Sequence, residues 1–415
     1  MRNSPFWLII IASMLLLDFY VFQALKAVSQ SAGAKTRIII FATYWTVSVL
    51  ALLIFVLLPV LHLENFSKGL RSIIFALVAA LFFAKFAAAV FLLIDDLRRG
   101  IQWVAGKLFF SNTEGESIQG EGISRSVFLS WVGLAAGGTI LGSLVNGFSN
   151  KYDYHVRKVP LRFAKLPEAF RGMKIVQISD VHSGSFNNKS AVEKGIQAIQ
   201  NIQPDLILFT GDLVNNRADE MNDYMGVFNK LQAPLGVYSV LGNHDYGDYE
   251  NWGSMAQKVE NLKRLKSIHG ELGWKLLLNE HVIFERSGQK IALLGIENWS
   301  AKARFPKYGK LSEAYRGAEE IPFKILMSHD PSHWDAEVRT NYQDIDLMLS
   351  GHTHGMQFGV ELPWLKWSPV QYVYKQWAGL YEEQAQKLYV NRGFGFIGYP
   401  GRVGIMPEIT LLELV

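Results

Sequence analysis

The segment Lys174-Ile175-Val176-Gln177-Ile178-Ser179-Asp180-Val181-His182-Ser183-Gly184 runs from an apolar stretch of strand length into a carboxylate and an imidazole two residues apart. Residues i and i+2 of an extended chain project to the same side, so Asp180 and His182 can converge on one point. A hard oxygen donor beside a borderline nitrogen donor is half of a metal site. Alone, such a triplet reads more readily as a surface turn after a strand. The same arrangement recurs, however. The apolar run 206–210 is followed by Gly211-Asp212, 237–241 by Gly242-Asn243-His244-Asp245, 323–328 by His329, and 345–350 by Gly351-His352-Thr353-His354-Gly355. Five of the ten histidines thus stand at the ends of four apolar runs, and Asp212 ends a fifth. In open α/β sheets ligands bind just beyond the carboxyl ends of the strands; histidines serving only a core would be scattered along element faces. Gly211, Gly242 and Gly351 each precede a candidate ligand, where a sharp turn off a strand needs φ > 0 or close backbone approach.

The elements that must carry these groups follow from the pattern after about residue 152. Strands are expected over 174–179, 205–210, 236–241, 282–285, 291–296, 323–328, 345–350, 388–391 and 409–412, with helices over 190–202 and 221–231. Strand–helix–strand alternation predicts an α/β layered fold with parallel pairing in its first half, and the closer spacing of the later strands predicts mixed sheets. The chain has no cysteine, which excludes disulfides, thiolate chemistry and Cys–zinc sites, so any metal is held by Asp, Glu, His, Asn or backbone oxygens. A net charge of +4 with no long Lys/Arg block gives no basis for nucleic-acid binding. No obligate protein partner is evident.

The series Asp180-x-His182, Gly211-Asp212, Gly242-Asn243-His244-Asp245, His329 and Gly351-His352-x-His354 resembles the signature of the calcineurin-like metallophosphoesterases, with all blocks present and in order. The resemblance runs from about residue 160 to the C-terminus and is strongest to a bacterial membrane-anchored branch, as is the tail Arg392-Gly393-Phe394-Gly395 … Pro400-Gly401-Arg402 … Pro407-Glu408-Ile409. It implies an αββα four-layer sandwich of two mixed sheets and two divalent metal ions at one rim, with Mn, Fe, Zn and Co all compatible with the donor types. By the resemblance, Asp180, His182 and His354 hold the first metal; Asn243, His329 and His352 hold the second; Asp212 bridges both. His244 is then the proton donor or phosphate ligand, oriented by Asp245. Two such ions can clamp the attacking and leaving oxygens of an in-line displacement. Asn243 and Arg402 are candidates for touching the substrate phosphate, although a tail arginine can equally close a salt bridge. Glu297-Asn298-Trp299 ends another apolar run and is expected as a pocket wall, and His333 as a support behind a ligand or a surface residue. The loop Pro363-Trp364-Leu365-Lys366-Trp367 reads either as a dip into a membrane interface or as internal packing.

The first 150 residues have a different character. Four segments, 6–25, 38–61, 72–94 and 127–148, reach the roughly 20 apolar residues that a bilayer span needs. The first is too long and too interrupted for a cleaved signal peptide. Pro59 is a terminal kink, and the polar segment 112–122 a flexible loop. Gly133-x-x-x-Gly137 and Gly138-x-x-x-Gly142 have the spacing that lets helices approach closely. Asp18 and Lys85 are each costly in hydrocarbon alone. The first and third spans run the same way, and these residues lie at nearly equal depth, so a buried Asp18–Lys85 ion pair is predicted. On one side Lys26, Lys35, Arg37, Arg98, Arg99, Lys107 and Arg125 outnumber Arg2, Lys68 and Arg71, which places the catalytic domain (151–415) outside the cytoplasm. Lys151, Arg157 and Lys158 pull the other way. Ser124-Arg125-Ser126-Val127-Phe128-Leu129 resembles an export signal that has lost one of its paired arginines.

The expected function is hydrolysis of a phosphodiester, phosphomonoester or pyrophosphate bond by an integral multi-pass membrane protein, with the bilayer presenting a lipid-linked phosphate ester. The resemblance extends to enzymes acting on a nucleotide-sugar lipid-A precursor. Such a precursor would be met at the cytoplasmic leaflet, in tension with an outward domain. The alternative is a regulatory or scaffolding phosphoesterase-like domain attached to a membrane sensor or transporter module.

Overall fold

Apolar runs longer than any soluble helix needs build the N-terminal unit. The computed structural model describes residues 5–57, 68–109 and 125–415, and the chain divides into units 1–146 and 147–415. The first unit holds α1 (Pro5–Val28), α2 (Ala34–Leu57), α3 (Lys68–Phe109) and α4 (Val127–Gly147). All four are long and apolar enough to cross a membrane. The expected end of the second span, with Pro59, and the polar loop 112–122 lie outside the described residues. α3 runs well past the expected boundary at 94. Where hydrophobicity stops, Asp95 pairs with Arg98 at 2.8 Å and Asp96 with Arg99 at 2.9 Å, each at i,i+3, which prolongs the helix. Its 42 residues extend about 63 Å, roughly twice the thickness of a hydrocarbon core.

Inside this unit Lys85 Nζ meets the Asp18 carboxylate, as predicted, and also Ser48 Oγ at 2.7 Å, so three helices share the charge. Arg125 pairs with Asp96 at 2.9 Å, which gives the arginine of the degenerate export motif a structural partner. The two small-residue motifs of α4 differ in use. A Cβ on Gly137 would lie 2.6 Å from the Ala84 carbonyl, and one on Gly133 3.0 Å from that of Ala88, whereas Gly138 and Gly142 face nothing within 4 Å. The first motif is the contact with α3.

In the C-terminal unit fourteen strands form in chain order: β1 (His155–Leu161), β2 (Lys174–Ile178), β3 (Leu206–Phe209), β4 (Val237–Ser239), β5 (Lys275–Leu276), β6 (Glu280–Arg286), β7 (Gln289–Gly295), β8 (Lys324–Met327), β9 (Leu347–Ser350), β10 (Val360–Leu362), β11 (Leu365–Trp367), β12 (Gly379–Glu383), β13 (Gln386–Val390) and β14 (Glu408–Leu414). One mixed sheet has the order β1-β14-β2-β3-β4-β5 and the other β12-β13-β9-β8-β7-β6, while β10 and β11 pair only with each other. Alternation along the strands gives each sheet two apolar faces. Ile175, Leu206 and Leu208 meet Leu293, Ile325, Met327, Leu347 and Leu349 between the sheets. The alternate residues Val176, Ile178, Ile207 and Phe209 face Val192, Ile196 and Ile199 of α5 (Lys189–Ile202) and Leu265 and Ile268, beyond a short α6 (Met225–Phe228), on α7 (Met255–Glu271). Leu294, Leu326 and Met348 take Leu311, Trp334 and Val338 on the far side. The layers are therefore α, β, β, α.

One expected helix is shorter, and five strands, β1, β5, β10, β11 and β12, form outside the expected set. The helix expected over 221–231 is α only over Met225–Phe228. β1 escaped the period-2 reading because Arg157, Lys158 and Pro160 interrupt it; as an edge strand bonded only to β14 it tolerates the proline. β12, with Glu382 and Glu383, is the edge of the other sheet.

Candidate metal centre

The site is built where β2, β3, β4, β8 and β9 end. After each strand the chain must turn at once, and the turning residues are strained: Asp180, His182, Asp212, His352 and His354 all have φ between 48 and 72 degrees. Non-glycine residues hold this left-handed region only where surrounding contacts over-determine it. Gly211, at φ 101, makes the turn ahead of Asp212, and a Cβ there would lie 2.6 Å from the Gly242 nitrogen. Gly351 is required by space instead: a Cβ would lie 2.0 Å from Ser179 Oγ and 2.2 Å from Asp180 Oδ2.

Two clusters result. Asp180, His182 and His354 bring one donor atom each within 4.8 Å of one another, and so do Asp212, His329 and His352. Nε2 of His182 and Nε2 of His354 stand 3.0 Å apart, and His354 Nε2 is 3.2 Å from Asp180 Oδ1. Asp212 Oδ2 lies between the clusters, 3.6 Å from His182 Nε2 and 3.1 Å from His329 Nε2. Asn243 Oδ1 is 2.7 Å from His352 Nδ1, while its amide nitrogen donates to Tyr249 Oη. The residues fit divalent cations: imidazole nitrogens and carboxylate oxygens converge, and the fully buried His329 Nε2 faces the Asp212 carboxylate without a well-aligned hydrogen bond among the described residues. His329 Nδ1 is fixed on the Thr210 carbonyl at 2.7 Å, which aims Nε2 at Asp212.

Electrostatics follow from the burial of mixed charges. Burial opposes ionisation of Asp180 and Asp212, but the surrounding histidines outweigh it and hold both carboxyls well below the usual range. Burial, against the pull of Asp212, drives His182 far down and keeps its ring neutral, the form that ligates. Burial also presses on His329, yet its contact with Asp212 pushes it up to about 10.

Two expected roles change. Asp245 does not orient the His244 ring. Its carboxylate accepts the backbone N–H groups of Gly242, Asp212, Leu213 and Val214 at 2.8 to 3.3 Å, tying the Asp212 loop to the Asn243 loop. His244 Nδ1 instead sits 2.8 Å from the Asn215 carbonyl, and its backbone N–H donates to Asp212 Oδ1. The reason is local: His244–Tyr246 form a 3₁₀ turn, which sends adjacent side chains about 120° apart. Arg402, expected at the substrate, is fully buried behind His354. Its guanidinium donates to the carbonyls of Arg392, Gly393 and Gly395 and comes within 3.4 Å of His354 Nδ1. Among the described residues it closes no salt bridge; Arg392 does, with Glu408 at 2.5 Å and with Glu361.

Other groups at the centre carry no motif. Tyr374 Oη is 2.8 Å from His352 Nε2 and donates to Asp330 at 3.2 Å. The only local signal for Asp330 is that it follows His329. On the loop after β7 the Arg304 guanidinium lies over the Phe305 ring, which meets the His352 ring at 4.8 Å, and Lys302 lies over Tyr374. Lys302, Arg304 and Lys307 within six residues were the sequence signal for cations at this rim. Glu297 lies beyond a strand end as expected, bonded to Asn279 and Tyr246. His333 is buried between Ser328 at 3.0 Å and Glu337 at 3.2 Å and packs on Trp299, so the surface alternative fails.

Residues 1–151 match a family model described as "Probable Calcineurin-like phosphoesterase, transmembrane domain", and 173–356 match "Calcineurin-like phosphoesterase". The chain is 31% identical to the uncharacterized metallophosphoesterase YkuE of Bacillus subtilis, across 70% of this chain and 98% of that one. It is 29% identical to a transmembrane protein with metallophosphoesterase domain from Danio rerio, over 62% of this chain and 56% of that protein, so it spans about half of that relative's length. A match at 28% identity covers 61% of this chain and 86% of the UDP-2,3-diacylglucosamine pyrophosphatase LpxG of Chlamydia trachomatis.

Proposed function

Because the chain belongs to the calcineurin-like metallophosphoesterases, metal-dependent hydrolases of phosphoester bonds, we propose that this membrane-associated member works through two divalent cations on a lipid-linked phosphodiester or pyrophosphate. The observation that carries the reading is the pair of donor clusters at four strand ends, with Asp212 of one cluster 3.6 Å from His182 of the other. Asp180, His182 and His354 would hold one cation; Asn243, His329 and His352 would hold the other, with Asp212 between. When bound, such a pair supplies the charge that steadies the oxygens of an in-line displacement at phosphorus. Manganese, iron, zinc and cobalt all suit these donors.

The rest falls to the chain. The Asn215 carbonyl can only accept, so His244 Nδ1 carries its proton towards it and Nε2 is left for the substrate. In its imidazolium form His244 protonates the departing oxygen. Arg304 and Lys302, at the rim beside Phe305 and Tyr374, take the phosphate-neutralising role first given to Arg402. A lipid-linked substrate is favoured by the attached transmembrane domain and by the pyrophosphatase activity named for the Chlamydia relative. The excess of Lys and Arg after the first and third spans favours an extracytoplasmic catalytic unit.

The test is turnover by the purified full chain with added Mn²⁺ of a chromogenic monoester, a chromogenic diester and a lipid pyrophosphate. Metal bound without turnover of any of the three would leave the scaffolding reading standing. The variant His244→Ala is expected to keep its metal by elemental analysis while turnover falls about 10²- to 10⁴-fold; Asp212→Ala is expected to lose the metal pair. Loss of metal from His244→Ala would make His244 a ligand. The absence of cysteine lets a single introduced thiol in the C-terminal unit, probed with an impermeant reagent, report its side of the membrane.

A further inference from the structure

The hairpin of β10 and β11 joins neither main sheet. A lone two-stranded ribbon gains little stability in water and is normally packed against something. This one carries Pro363-Trp364 at its turn, with Trp364 79% exposed between Leu362 and Leu365, at 45% and 40%. Trp367 Nε1 donates to Tyr372 Oη at 3.4 Å, which brings Tyr372, 77% exposed, and its neighbour Val373 onto the same patch. Met356, two residues beyond His354, is 57% exposed. A contiguous exposed apolar surface of this kind marks an interaction site, and a tryptophan–tyrosine pair flanked by leucines is the composition enriched at bilayer interfaces.

The place of this patch along the chain identifies its occupant. Gly359, at the base of the hairpin, donates its N–H to the Val403 carbonyl at 2.9 Å. The preceding residue, Arg402, donates its backbone N–H at 2.9 Å to the carbonyl of Gly147, the residue at which the last apolar span ends. The base of the hairpin is thus bonded, through one segment, to the residue that ends the last apolar helix. We propose that the β10–β11 hairpin, with Tyr372 and Val373, inserts into the lipid–water interface. It forms a lipid-facing lip leading past Met356 to the metal centre. Delivery of a lipid-linked substrate across this lip rests on the reading above; the insertion itself does not.

The test uses the full chain in vesicles of phosphatidylcholine and phosphatidylglycerol. Leu362→Cys, and Lys290→Cys at the exposed start of β7 as a control, are labelled with bimane. Quenching is then read with a lipid carrying a shallow doxyl group and with aqueous iodide. Insertion predicts at least threefold stronger doxyl quenching and threefold weaker iodide quenching at 362 than at 290, reversed when Trp364→Ser and Tyr372→Ser are added. Equal iodide quenching at both positions overturns the proposal. So does iodide protection without doxyl quenching, the result expected if a second copy of the chain covers the patch. In the Trp364→Ser/Tyr372→Ser chain, a water-soluble chromogenic ester should be turned over as before, and a vesicle-borne substrate at least fivefold more slowly. Normal depth quenching with no turnover of either substrate would count against the phosphoesterase reading and leave the insertion intact.

Discussion

His352, a proposed ligand, is held in place by its neighbours on both ring nitrogens. Its Nδ1 faces Asn243 Oδ1, and its Nε2 is held by Tyr374 Oη, which in turn donates to Asp330. Losing such a support typically weakens metal affinity about 10- to 100-fold. We therefore expect Tyr374→Phe to release metal more readily by about that factor in a competitive chelator titration, with the fold intact. His269 is the contrasting case, a histidine with no chemistry to do. It is fully buried on α7 against Phe209 and Trp274, neither ring nitrogen has a partner, and burial drives its value down to about 3. The unfolded chain takes up this proton below about pH 6.5 and the folded chain refuses it. The stability associated with a neutral ring is thus present above pH 6.5 and lost as pH falls towards 3, about 2 kcal/mol of it by pH 5. In denaturant titrations of the full chain in detergent, His269→Leu should flatten the fall in stability between pH 7 and 5 by about that amount.

At the scale of elements, β2, β3, β8 and β9 succeed as a platform because both of their faces are buried. Their residues pack between the sheets on one side and against helices on the other, so the strand ends cannot drift. Strained turns at Asp180, His182, Asp212, His352 and His354 are affordable only on such a support. In the membrane unit α4 works by the opposite device, small residues in place of side-chain interlock. Gly137→Leu would drive a side chain into the Ala84 carbonyl, and Gly142→Leu would enter open space. We expect the first to lower the melting temperature of the full chain in detergent by several degrees and the second to leave it within about one degree.

For the whole molecule, the Asp18–Lys85 pair is a buried ion pair that joins α1 to α3 and, through Ser48, to α2. Removing one partner of a buried pair strands a charge and costs about 3–5 kcal/mol, whereas replacing both with apolar residues is often neutral. Asp18→Leu and Lys85→Met alone should each reduce the yield of folded protein on size-exclusion chromatography; the double variant should restore it. Equal loss in all three chains would show that the polar pair, with its contact to Ser48, cannot be replaced by apolar packing.

What the sequence determined by itself was whatever depends on local spacing. Histidines and aspartates after apolar runs could be picked out by position, although their division into seven metal ligands came only with the family resemblance, and four spans were legible because bilayer thickness fixes the apolar length that crosses it. A layered α/β fold with mixed sheets was legible because strand and helix periods alternate along the chain, and the four-layer sandwich followed from the resemblance. Even Asp18 with Lys85 was readable, since depth in a helix is a matter of counting. The tertiary structure alone decided what adjacency in sequence misrepresents. Asp245 follows His244, yet a tight turn points it at the Asp212 loop. Arg402 sits in a motif-like tail, yet its guanidinium is consumed by backbone carbonyls behind His354. Tyr374 and Asp330 come from segments 44 residues apart to hold one imidazole. Such partnerships depend on which surfaces the packed layers bring together, and neither period nor spacing records that.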